Sequence, residues 1–191
     1  MSDEKCQQPF PMRALILQGS HRERLLAFFI AHDLFQQVES NVVDMMHNFH
    51  SDQVFEKLTP VTKERYGQLM ADIFSLVKSI VEDAMQAGDL PRTSGNAGDI
   101  VFGLWSLTYG AELLRSYNLP LQEFGVTDSG HALVNTLSRL LNGLDWQPIS
   151  KDPIHDIEHI KHIREALFKD EIMAKQCNEE GQRFTTNKDT Q

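Results

Sequence analysis

Apolar residues recur at helical spacing along most of this chain, and no stretch shows the strict alternation of a half-buried strand. The first periodic run is Leu25, Leu26, Phe28, Phe29, His32 and Phe35. Ser20 precedes it and Glu23 follows three residues later, the capping-box spacing in which each side chain serves the other's backbone N–H. The pattern continues less cleanly through Val42, Val43, Met45, Met46 and Phe49. It predicts one long or kinked helix to about residue 48, then a short helix over 52–58.

The next start is marked by Thr59 as cap and Pro60 at the first helical position. From Tyr66 the sequence reads Leu69, Met70, Ile73, Val77, Ile80 and Ala84, a sustained period near 3.6. Gly88 fits a left-handed C-cap and Pro91 blocks continuation. The predicted helix is about 25 residues long, roughly 37 Å at 1.5 Å per residue. "RTSGNAG" is a loop, and a helix follows it to about residue 117. Asp128 or Ser129 caps the next helix, on which Leu133, Leu137, Leu140 and Leu144 form a row beside Val134 and Leu141. A last helix is predicted over 153–177, with Ile157, Ile160, Ile163 and Leu167 on one side. Residues 1–19 read as an irregular lead-in broken by Pro9, Pro11 and Gly19, and 179–191 as a polar tail. The expected fold is all-α, an antiparallel bundle of about six to eight helices.

The helix over 99–116 lacks a clean polar face. Ile100, Val101, Phe102, Leu104, Trp105, Leu107, Tyr109, Leu113 and Leu114 point in nearly every direction around its axis. Such a helix is covered on all sides. Its covers are the chain's own core and, on the other side, either more of that core or a second copy. Gly103 and Gly110 are seven residues apart and share a face, where small residues let another backbone come close. Together with the leucine row of the following helix they predict a four-helix isologous homodimer interface of Gly103, Gly110, Leu114, Leu133, Leu137, Leu140 and Leu144. The competing reading makes both helices the centre of a monomer.

Composition narrows the function classes. The chain has 191 residues, with 18 Lys and Arg against 27 Asp and Glu, a formal charge of -9. No basic run offers phosphate contacts, so the chain as it stands is a poor nucleic-acid binder. Cys6 and Cys177 make no disulfide framework, and no apolar run has signal-peptide or membrane-span length, which points to the cytoplasm. There is no Gly-rich phosphate loop, no G-x-S-x-G and no H-E-x-x-H.

The run "LVKSIVEDAMQAGDLP", a loop, an aromatic-rich helix and then "LVNTLSRLLNGLDWQP" resembles the C-terminal regulatory domain of TetR/AcrR-type transcriptional regulators. "HRERLLAFFIAHDLF" looks like that domain's first helix, and the likeness spans about 20–147, with 148–178 as a helical extension. The resemblance implies a non-catalytic, cofactor-free, all-α sensing domain. It would dimerise through the helices at about 97–117 and 128–144 and bind a small, mostly apolar effector. Family members carry an N-terminal helix-turn-helix of roughly fifty residues. Here only about twenty residues precede the first matching helix, and none shows that pattern, so DNA becomes a partner only if such a head precedes this chain.

Aromatic and Met side chains are the natural lining of an apolar effector site. The candidates are Phe28, Phe29, His32 and Phe35, then Met45, Met46 and Phe49, then Met70, Phe74 and Val77, and finally Phe102, Trp105 and Tyr109. Trp105 and Tyr109, at i and i+4, share a face and carry polar tips. Each of these residues also serves as plain core. His155, His159 and His162 lie on one helical face able to hold a transition metal, and His47, His50 and Asp44 form a lesser cluster. For both clusters a plain polar helix face is the preferred reading, and no metal site is assigned. Two alternative functions stand beside the sensing domain: a helical metal-dependent oxygen-activating enzyme, and a dimerisation module without a ligand. For the enzyme, the Asp-x-x-His pairs and Glu112, a candidate buried acid, fall short of a full carboxylate site.

Overall fold

The computed structural model describes residues 19–38, 55–117 and 119–149. They form four α-helices and a 3-10 turn, with no strand among the described residues. The helices are α1 (His21–Val38), α2 (Pro60–Ala87), α3 (Ala97–Ser116) and α4 (Ser129–Gly143), with the 3-10 turn Arg92–Ser94 between α2 and α3. The all-α expectation holds for this part. The predicted continuation of the first helix to about residue 48, residues 52–54 of the segment 52–58 and the last helix over 153–177 lie outside the described residues. No helix among the described residues is long and apolar enough to cross a membrane.

Each helix begins where its sequence supplies a cap. The Ser20 backbone N–H donates to Glu23 Oε2 at 2.8 Å and the Glu23 N–H donates to Ser20 Oγ at 3.3 Å, the reciprocal pair read from the spacing. Thr59 accepts from the Thr62 N–H ahead of Pro60. Asp128, rather than Ser129, caps α4 by accepting from the His131 N–H at 2.9 Å. Asn96 caps α3 through the Asp99 N–H at 2.9 Å, a role the loop reading had not singled out.

α1 is the hub, packed against α2, α3 and α4, while α2 lies on α3 and α3 on α4. Phe74 meets Trp105 and Tyr66 lies beside Tyr109, so α2 and α3 run antiparallel. The core contains Phe28 and Phe29 of α1, Val77, Ile80 and Val81 of α2, Val101 and Leu104 of α3, and Leu137 and Leu141 of α4. Leu90 and Trp146, from the segments that end α2 and α4, are buried with them.

The "AMQAGDLP" junction is where the bundle is tied. Gly88 takes the left-handed conformation at φ 83°, and both Asp89 and Leu90 donate their N–H to Ala84 O. The turn drops Leu90 into the core. It also presents Asp89 to two partners: Oδ2 lies 2.6 Å from His21 Nδ1, and its carbonyl accepts from the Gln147 N–H at 2.7 Å. Nearby, the buried Arg22 guanidinium crosses from α1 to the end of α4. It donates to the carbonyls of Trp146 and Ser138, both at 3.1 Å, and to Ser138 Oγ at 3.0 Å. The start of α1 is thus fixed to the ends of both α2 and α4.

Candidate ligand groove and open helix face

Where α2 and α3 run side by side, they leave a groove of about 800 Å³. Met70, Ala71, Phe74 and Ser75 line it from α2, and Phe102, Trp105, Ser106 and Tyr109 from α3. Its size falls within the range of small-molecule sites. The walls are aromatic and thioether, none of the lining side chains is charged, and the polar groups are hydroxyls and the indole N–H. Tyr66 stands one turn before Met70, with its phenol pushed above its usual value, first by burial and then by Tyr109. It therefore stays neutral at neutral pH.

Trp105 is the partition between groove and core. On one side its ring lies 6.5 Å from Phe74; on the other it meets Phe28 at 6.0 Å, Phe29 at 6.2 Å and His32 at 5.3 Å. These are the offset and edge-on geometries that aromatic quadrupoles favour. The eleven pocket candidates divide accordingly. Met70, Phe74, Phe102, Trp105 and Tyr109 line the groove. Phe28, Phe29 and His32 stand behind Trp105, and Val77 is fully buried core. Phe35 is half-buried on α1, and Met46, with Met45 and Phe49, lies outside the described residues.

Behind this wall, α1 and α3 share a polar seam. Asp33 pairs with the Arg115 guanidinium, and Gln36 donates to the buried Glu112 carboxylate. His32 sits at its apolar edge, stacked 6.4 Å from Phe28, with a buried Nδ1 that has no hydrogen-bond partner. Burial pushes the imidazole down to about 4; Asp33 partly offsets this and Arg115 adds to it. His32 is neutral at neutral pH, so the wall behind Trp105 carries no charge at that point.

The structure answers what covers the all-apolar helix. Val101, Leu104, Thr108 and Glu112 face the chain's own core. The opposite face is open: Phe102 is 68 % exposed, Leu114 49 % and Tyr117 68 %. A Cβ added at Gly103 or Gly110 meets nothing within 4 Å among the described residues, so none of these requires a glycine at either site. The leucine row on α4 splits. Leu133 and Leu137 are buried with Leu141 in the chain's own core, and Leu144 packs against that core. Leu140, on the edge of that buried arc, stays open to solvent. Leu133 and Leu137 are thus buried within the chain, whereas Gly103, Gly110, Leu114 and Leu140 of the predicted interface stay at least partly accessible.

Three structural groups escaped the sequence reading: the Arg22 clamp, the buried Trp146 and Tyr66 beside the groove. An Arg on the first turn of an amphipathic helix reads as surface, and only the convergence of α4 supplies its carbonyls. Glu112, a candidate buried acid, is buried as expected, against Gln36. No group of three or more His, Cys, Asp or Glu suited to a metal occurs among the described residues. The His155, His159 and His162 face and the cluster of Asp44, His47 and His50 lie outside those residues. No protein-family model, curated protein or solved structure matches the chain.

Proposed function

We propose that this chain is the effector-sensing and dimerising domain of a TetR-like regulator, and that the α2–α3 groove receives the effector. The observation that carries this is a groove with four aromatic rings and no charged lining, directly beside an exposed, mostly uncharged helix face. Such a lining selects a neutral, ring-containing, mostly apolar molecule, with Ser75, Ser106 and Tyr109 available to orient it. The sequence resemblance supports the same reading.

The occupant we assign to the open face is a second copy of the chain. Phe102, Gly103, Ser106, Gly110, Leu113 and Leu114 bring no charge to it, in a protein of net charge -9, and the acid on the same arc, Asp99, stands at its N-terminal end. Two acidic subunits meet with least repulsion on such a surface. α3 has 20 residues, so it is roughly 30 Å long. With α4 beside it at helix-packing distance, the face measures about 600 Å². That approaches the roughly 800 Å² per partner of a standard interface. On this reading the protein works in the cytoplasm and without catalysis. It reaches DNA only through a helix-turn-helix preceding this chain, and the effector acts by favouring one of two helix arrangements.

Native mass spectrometry on protein purified without added ligand tests both parts. The expected result is a dimer, with a small-molecule mass on the fraction that retains its effector. A monomer at micromolar concentration would overturn the dimer assignment.

A further inference from the structure

We infer that the α2–α3 groove is half of a composite site, whose outer wall is supplied by the second copy of the chain. This rests on the dimer assignment above and adds to it a statement about where the ligand sits. On a helix of 100° per residue, the groove residues Trp105, Tyr109, Phe102 and Ser106 occupy one continuous arc of α3. The arc of Gly110, Gly103 and Leu114 begins where that one ends. Ser106 is three residues after Gly103 and four before Gly110, so it lies between them one turn away on either side. Phe102 lines the groove yet remains 68 % exposed. The groove is therefore open on the very side where a second backbone would approach the glycines. A subunit seated there covers Phe102 and Ser106 and converts an open trough into an enclosed cavity. An apolar ligand gains from the enclosure, because surface left in water by a one-sided trough is removed from it. Binding and association then strengthen each other reciprocally.

The test uses N-phenyl-1-naphthylamine, a neutral apolar fluorophore, with its own emission on binding as the readout, on the wild-type chain and on Gly110→Arg. The arginine enters open space, so the subunit keeps its fold, which helical circular dichroism checks. It puts a charge at the centre of the face. The expected result is a monomeric variant that binds the fluorophore at least tenfold more weakly. Wild-type affinity should fall on dilution in step with the dimer fraction measured by sedimentation. Ser75→Trp, which fills the groove from α2, should abolish binding while leaving the dimer intact. A wild-type chain that is monomeric at every concentration overturns the dimer assignment and this inference with it. A dimer whose fluorophore affinity is unchanged in Gly110→Arg and on dilution overturns this inference alone. Undiminished binding by Ser75→Trp overturns the groove as the site.

Discussion

Replacing His32 by Phe and following stability against pH isolates the electrostatics behind the groove wall. Folded His32 titrates at about 4 against the ordinary 6.5. Between those values the unfolded chain holds a proton on this side chain that the folded chain lacks. Stability therefore falls as pH drops from 6.5 to 4 and is insensitive to this group above 6.5. At roughly 1.4 kcal/mol per pH unit the whole effect is worth about 3 kcal/mol. That is an upper bound, because part of the side chain still meets solvent. His32→Phe keeps ring contacts toward Phe28 and Trp105 while removing the titration. The assay is urea unfolding by circular dichroism at fixed ionic strength and protein concentration, from pH 7.5 to 4.5. Carboxylates titrate in both proteins, so the quantity to plot is the difference between them. The wild type should lose about 2 to 3 kcal/mol relative to the variant across that range. A difference independent of pH would refute the reasoning. A wild type that gains on acidification would show that pairing of the imidazolium with Asp33 outweighs burial.

Arg22→Met keeps the apolar stem but leaves the carbonyls of Ser138 and Trp146 without the guanidinium. At about 1 to 2 kcal/mol for each of the three lost buried bonds, unfolding free energy should drop by about 3 to 6 kcal/mol in urea titration. Gly88→Ala places a Cβ at φ 83°, where there is space but a conformational penalty, and should cost about 1 kcal/mol. Gly88→Asn, which tolerates that region, should lose less in the same urea titration. Asp128→Ala removes the cap of α4 and should lower stability by about 1 kcal/mol without changing oligomeric state.

Local chemistry sufficed wherever one segment determines its own conformation. The Ser20–Glu23 box, Thr59 ahead of Pro60, and Gly88 before Pro91 are all satisfied within a few residues, so their spacing alone marks where α1 and α2 start and α2 stops. The 3.6 period of α2 likewise identified Val77, Ile80 and Ala84 as one face. Periodicity also put Trp105 and Tyr109 together on a helix, but it could not tell which of two apolar directions led to core and which to a groove. Phe28 and Phe74 are equally apolar in sequence; Trp105, standing between them, sends one to each side. The same limit applied to the leucine row of α4, where Leu137 and Leu140 look alike until the fold buries the first and leaves the second exposed. Arg22 and Trp146 are 124 residues apart, and their bond exists only because α1 and α4 converge. Sequence fixes what depends on neighbours along the chain. Which face is inside, which charge is buried and which surface awaits a partner depend on what the rest of the fold brings alongside.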